Sequence, residues 1–173
     1  WNQQGLNPGK LALNLSMKQL HKENCVRALQ GLIADAGCNP EWLELEVTEA
    51  QVMEDAETVN STLEVIRNMG VSLAIDDFGT GYSSLSYLKS LPINKLKIDK
   101  SFVQDIPGDE EDVAIIRTII ALANNMALSL IAEGVETEEQ KEFLVSNGCD
   151  VIQGYYYHRP MPAEELEKLL RDA

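Results

Sequence analysis

The 173-residue sequence predicts an α/β fold with a parallel sheet, on two observations. Short apolar, β-favouring runs alternate with helix-length amphipathic segments, an order that packs helices outside a parallel sheet. Each run also finishes on or beside a polar or charged residue. In parallel α/β folds these strand ends share one face, which in barrels carries the active site.

The runs lie over residues 10–15, 42–47, 71–75, 95–98, 128–132 and 150–152. Helices are expected over 17–36, 56–69, 83–90, 110–126, 138–147 and 163–172. Val113, Ile116, Ile119, Ile120 and Ala123 recur at helical spacing. Gly70 and Gly148 stand just past helix ends, where a left-handed residue stops a helix. Pro162 followed by Glu164 and Glu165 opens the last helix, with carboxylates near its positive end. Six βα units fit either an open doubly wound sheet or a barrel short of two, since a closed (β/α)₈ barrel takes about eight units and ~250 residues. Neither GxGxxG nor a P-loop follows any strand, which lowers the dinucleotide and NTPase readings.

With 45% hydrophobic and 24% charged residues, the composition is that of a globular domain. The net charge of −14 argues against polymeric nucleic acid and against a polybasic membrane contact. It allows a phosphate-bearing substrate if metal ions supply positive charge. No apolar run reaches the ~18 residues of a membrane-spanning helix. Cys25, Cys38 and Cys149 form no CxxC or Cys/His cluster, so neither a disulfide framework nor zinc is expected. A reducing, cytoplasmic setting is the default. The N-terminus has no start methionine and no basic leader segment, and reads as the cut edge of a longer protein.

The candidate site residues are Asn14 on the first strand, Glu46 with Glu49 on the second, and Asp76-Asp77 on the third. Lys97 and Asp99 follow on the fourth, Glu133 and Glu136 on the fifth, and Gln153 on the sixth. One Asp after a strand usually caps the next helix, but six strand ends delivering polar groups to one rim exceed what solubility requires. Asn14, Glu46, Asp76, Asp77 and Glu133 offer hard oxygens, which suit Mg²⁺ or Mn²⁺. Adjacent residues of a strand point to opposite faces. Asp76 and Asp77 therefore converge only where the strand breaks, which Gly79 and Gly81 mark. One carboxylate could then bridge two ions ~4 Å apart, a clamp for phosphoryl displacement. Lys97 is either a structural salt bridge or a holder of water or phosphate charge. Glu49 could anchor the loop that begins at Phe78 by accepting from its amides or hydroxyls, with Ser83 or Ser84 capping the next helix. His158 with Arg159 could meet a phosphate or close a turn. Tyr155, Tyr156 and Tyr157 could stack on a base or belong to the core. His21 and the acidic run 109–112 read as solvated.

Leu13-Asn14-Leu15-Ser16, Glu44-Leu45-Glu46-Val47-Thr48-Glu49 and Asp76-Asp77-Phe78-Gly79-Thr80-Gly81-Tyr82-Ser83-Ser84-Leu85 resemble the EAL-domain family. So do Lys95-Leu96-Lys97-Ile98-Asp99, Ala132-Glu133-Gly134-Val135-Glu136 and Gln153-Gly154-Tyr155, in the family's order along essentially the whole chain. The resemblance implies a modified (β/α)₈, TIM-like barrel and hydrolysis of cyclic di-GMP to linear pGpG with Mg²⁺ or Mn²⁺. It implies that Asn14, Glu46 and Asp76 hold a first metal, with Asp76 bridging to a second that Asp77 binds. Lys97 would contact the catalytic water, and Glu133 would be a second-site ligand or the general base. Gln153 would complete the site, Glu49 would steady the loop, Glu136 would support the rim, and Asp99 would be a further substrate or site residue.

The Glu-Ala-Leu motif that names the family is absent from the sequence. The expectation is one truncated EAL domain over 1–173, an incomplete barrel of about six units lacking the first two strands. Such a chain is expected to be inactive in isolation and to self-associate or swap elements through its open edges. Partner domains would belong to a longer signalling protein, cytoplasmic or the cytoplasmic part of a membrane-anchored sensor. The alternatives are a non-catalytic EAL receptor or interaction module, and an enolase-like metal-dependent barrel enzyme.

Overall fold

The computed structural model describes residues 1–22, 24–54, 56–81 and 85–172. In chain order the elements are β1 (Leu11–Asn14), α1 (Met17–Leu20), α2 (Cys25–Asp35), β2 (Leu43–Thr48), α3 (Glu49–Glu54), α4 (Ala56–Asn68) and β3 (Ser72–Phe78). Then come α5 (Leu85–Leu88), β4 (Lys95–Ile98), α6 (Lys100–Val103), α7 (Glu110–Asn125), β5 (Ser129–Ala132), α8 (Glu138–Ser146) and α9 (Ala163–Asp172).

The five strands form one parallel sheet in the order β1-β2-β3-β4-β5. Spatial order equals chain order, so every crossover adds its strand to the same growing edge. A doubly wound sheet reverses direction at a switch point; this one never does. It winds as a barrel winds, and among the described residues it does not close.

The period-2 geometry of strands sorts the side chains. Leu43, Leu45 and Val47 of β2, Leu73 and Ile75 of β3, and Leu96 and Ile98 of β4 face the helices and are buried. Val59, Leu63 and Ile66 of α4 and Ile116, Ile119, Ile120 and Ala123 of α7 complete that core at helical spacing. Burying each large aliphatic side chain stabilises the fold by roughly 1.5–3 kcal/mol. The other parity carries Glu44 and Glu46, Ser72 and Asp76, Lys95 and Lys97 to the concave side of the sheet. Helix entries are satisfied locally. Asp109 accepts from the amides of Glu111 and Asp112, and Thr137 with Gln140 forms a capping box on α8.

The structure departs from the sequence reading in several places. The expected helix over 17–36 is two helices, because Asn24 leaves helical geometry (φ −109°, ψ 13°) and the Cys25 amide turns back onto the Lys22 carbonyl. The third strand runs on to Phe78, three residues past its expected end. Short helices α3 and α6 follow β2 and β4 directly. Of the helix expected over 83–90, Leu85–Leu88 is seen; Ser83 and Ser84 lie outside the described residues. The sixth strand is reduced to one bridge, Ala132 to Ile152. Gly134 (φ +74°) bends the chain two residues after Ala132, so the ladder stops almost as it begins.

Candidate active site

Lys97 organises the rim. Its Nζ lies 2.8 Å from Glu46 Oε1, 3.0 Å from Asp76 Oδ1 and 2.8 Å from Glu133 Oε1. The four groups come from β2, β3, β4 and the residue after β5, so the sheet curves enough to bring non-neighbouring strand ends together. Only 6% of the Lys97 side chain is exposed. Burial works against its charge, but hydrogen bonds to Glu133, Glu46 and Asp76 prevail and hold its pKa above the ordinary lysine value. Burial raises the Glu133 pKa; Lys97 opposes the rise, and Asp76 and Glu46 add to it. Glu133 is fixed at its backbone by an amide hydrogen bond to the Ile98 carbonyl, 3.2 Å.

Asp76 and Asp77 sit on an irregularity of β3. Ile75 pairs with Leu96 and Phe78 with Ile98, so Asp76 and Asp77 stand opposite Lys97 alone. Asp77 adopts φ +53°, a left-handed conformation Asp tolerates better than most residues. This bulge, within the strand, breaks the alternation that would send the two carboxylates apart. Asp76 reaches Lys97, and its Oδ1 also accepts from the Asp77 amide at 3.1 Å. Asp77 shares a side-chain hydrogen bond with Asp99. Burial, Asp76 and Asp99 raise the Asp77 pKa. At Asp99 burial pulls the same way, but hydrogen bonds from Ser101 outweigh it and lower the pKa. Asp99 also caps α6 through the Ser101 amide, 2.9 Å.

Glu49 is buried at the start of α3, and its Oε2 accepts from the amides of Gly79 at 2.8 Å and Gly81 at 3.3 Å. Glycine is required at Gly79, where φ is +101° and a Cβ would lie 2.9 Å from the Phe102 ring; a Cβ at Gly81 would press on the Glu49 carboxylate at 3.1 Å. The carboxylate thereby ties the loop after β3 to the end of β2.

Asn14 is exposed, at the register position beside Glu46. Gln153 is exposed as well; its amide donates to the Ala132 carbonyl at 2.8 Å, and its carbonyl accepts from Val135 at 3.2 Å. Glu136 is exposed, its amide donating to Gln140 Oε1 at 2.8 Å. A cavity of about 550 Å³ opens beside Glu133, lined among others by Lys100, Gln153, Tyr155, His158 and Arg159. The Arg159 guanidinium stacks 4.5 Å from the Tyr155 ring centroid. Lys100 and Gln140 were not among the residues singled out from the sequence. The one local signal for Gln140 is its place three residues after Thr137, as in a capping box.

Among the described residues no group of three or more His, Cys, Asp or Glu stands alone as a cation site. Three carboxylates close instead on the Lys97 ammonium. The donor chemistry nevertheless fits a divalent cation: the oxygens are hard, and one ammonium leaves two of three negative charges uncompensated.

A model of the EAL domain matches residues 1–160. The cyclic di-GMP phosphodiesterase NbdA of Pseudomonas aeruginosa is 44% identical over 162 residues, which are 94% of this chain and 21% of that protein. MucR of the same organism, a bifunctional diguanylate cyclase/cyclic di-GMP phosphodiesterase, is 45% identical over 96% of this chain and 24% of its own length. The solved PaMucR phosphodiesterase in its c-di-GMP complex superposes with a TM-score of 0.92, covering 96% of this chain and 67% of that one. BlrP1 of Klebsiella pneumoniae, solved as a manganese/c-di-GMP complex, superposes with a TM-score of 0.83 at 34% identity, over 92% of this chain and 41% of its own. The chain spans about a fifth to a quarter of the length of these curated relatives. The winding of the sheet, the carboxylates around Lys97 and these likenesses agree: the chain belongs to the EAL-domain family.

Proposed function

We propose that this chain carries the site of a metal-dependent phosphodiesterase that hydrolyses cyclic di-GMP to linear pGpG. The observation that carries the reading is Lys97 held by carboxylates from three other strand ends. Such a rim suits a reaction in which negative charge develops on phosphoryl oxygens.

Mg²⁺ or Mn²⁺ in a two-metal site, held by Asn14, Glu46, Asp76 and Asp77, would supply Lewis-acid stabilisation of the phosphoryl oxygens. The chain's own residues do the rest. Lys97, released from one of its three carboxylate partners, donates the freed N–H to orient the attacking water. Glu133, its pKa raised by burial, accepts the water's proton. The water oxygen bonds to phosphorus, the bond to the 3′ oxygen breaks, and that oxygen takes up a proton. Glu49 holds the loop after β3 over the site, and Asp99 steadies Asp77. Gln153, Glu136, Lys100, His158 and Arg159 line the space for the rest of the dinucleotide.

We read the chain as one EAL domain, to which two further βα units would complete the barrel. This is supported by β1, which has a neighbour on one side only and leaves Leu11 and Leu13 60% and 43% exposed. Alone, the chain would self-associate through that edge. The reading implies a cytoplasmic domain of a longer signalling protein, with or without a membrane-anchored sensor. No helix among the described residues is long and apolar enough to cross a membrane. The test is chromatography of cyclic di-GMP incubated with the barrel-completed protein and Mn²⁺. Formation of pGpG that is lost in Glu133→Gln supports the reading. Binding without hydrolysis turns it into a receptor.

A further inference from the structure

We propose that Gln140 is a positioning residue that sets Glu133 against Lys97; the inference rests on the phosphodiesterase reading. Gln140 is buried in the first turn of α8, and its carboxamide is used at both ends. Its Oε1 accepts from the Glu136 amide at 2.8 Å and the Thr137 amide at 3.0 Å. Its Nε2 donates to the Gln104 carbonyl at 3.0 Å. A capping box needs only the bond to the N-cap amide, here Thr137. The other two bonds reach beyond α8.

Those two bonds join the halves of the site. Gln104 is the C-cap of α6, the helix that starts at Lys100 just after β4, the strand of Lys97. Glu136 ends the loop that begins at Glu133. The same loop is tied to β4 at its start, where the Glu133 amide meets the Ile98 carbonyl. Between these ties Gly134 packs so closely that a Cβ there would lie 2.5 Å from Lys100 Cβ. The loop carrying Glu133 is thus pinned at both ends to the β4–α6 unit carrying Lys97, and Gln140 is the distal pin. Only an amide serves there: glutamate keeps the acceptor and loses the donor, and methionine loses both. Gln140 carries no charge and is not among the groups around Lys97, so its influence is on position.

The test compares Gln140→Glu and Gln140→Met with the unaltered, barrel-completed protein. The readouts are melting temperature, kcat and KM for cyclic di-GMP, and the Lys97–Glu133 distance in crystals grown without metal. Gln140→Glu keeps the cap but turns a carboxylate oxygen toward the buried Gln104 carbonyl. It should fold and melt a few degrees lower, while kcat falls about tenfold or more, KM holds within about twofold, and the Lys97–Glu133 pair opens beyond hydrogen-bond reach. Gln140→Met should lose the cap as well and melt lower still. A Gln140→Glu protein with unchanged kcat and an unchanged pair overturns the proposal, as does a change in melting temperature alone. If the unaltered protein leaves cyclic di-GMP intact, the functional reading fails. The Lys97–Glu133 distance in Gln140→Glu then decides this proposal by itself: opened supports it, unchanged overturns it.

Discussion

Lys97 Nζ and Glu133 Oε1 stand 2.8 Å apart across the β4–β5 boundary, with Glu46 and Asp76 on the same ammonium. Lys97 thereby offsets one charge of three crowded carboxylates that would otherwise repel one another more strongly. Lys97→Met leaves those carboxylates without their cation. Removing one partner of a buried pair costs about 3–5 kcal/mol. For a chain of this size the melting temperature should drop on the order of 10 °C. Millimolar Mn²⁺ should restore most of that loss. Calorimetric melts with and without Mn²⁺ check this; a drop that Mn²⁺ leaves untouched would count against cation binding by these carboxylates.

Glu49 gives the second expectation. Its carboxylate accepts two backbone amides, and charge-assisted bonds contribute about 1.5–3 kcal/mol. Both amides meet Oε2, so Glu49→Gln can keep both bonds but loses the charge that strengthens them, and its amide nitrogen takes the buried Oε1 position, which has no partner among the described residues. The amides of Gly79 and Gly81 should then exchange with solvent about 30-fold faster, the equivalent of about 2 kcal/mol. Hydrogen exchange read by mass spectrometry checks this, with kcat expected to fall in parallel.

The core holds one ionisable group with a clear pH signature. Burial pushes the Cys149 thiol up to about 11, from the ordinary 9.0. A raised folded-state pKa means that its contribution to stability is complete below about pH 9 and disappears as pH rises through 11. Urea midpoints at pH 8 and pH 11 should differ more in the native sequence than in Cys149→Ala. At pH 8 an alkylating reagent should modify the half-buried Cys38 and leave Cys149 intact until the protein unfolds.

The exposed edge of β1 leads to a prediction about solution state. Leu11 and Leu13 are 60% and 43% exposed beside an unpaired strand edge. Leu13→Lys places a charge there, the device by which natural edge strands avoid pairing. Sedimentation velocity should show concentration-dependent oligomers for the chain alone and mostly monomer for the variant. A monomer in both cases removes the self-association proposal.

Much of this architecture was legible because it is periodic. Glu44/Glu46 and Lys95/Lys97 repeat at spacing two, and Val59, Leu63 and Ile66 repeat at helical spacing; each pattern states a facing direction directly. The strand-end positions of Glu46, Asp76, Lys97 and Glu133 follow from those directions. What stayed hidden depends on non-local contacts. The β3 bulge that reunites Asp76 with Asp77 is a register relation to β4 and has no sequence period. The short helix α6 has four residues, too few to show a helical period, and its cap Asp99 reads from the sequence as a site residue. The sixth strand was expected from an apolar run at 150–152, yet its pairing is cut short by the backbone bend at Gly134. Gln140 reads as a capping residue, and its bond to Gln104 is visible only once two helices distant in sequence are placed side by side.

The most direct test of the account's central claim is hydrolysis of cyclic di-GMP with Mn²⁺, followed by chromatography for pGpG. The chain would be run beside a version extended by the two βα units that an eight-unit barrel requires. Turnover by the extended protein, abolished by Lys97→Met and by Glu133→Gln, is the predicted result. Binding of the dinucleotide by both proteins with no pGpG from either would contradict the mechanism and make the site a receptor.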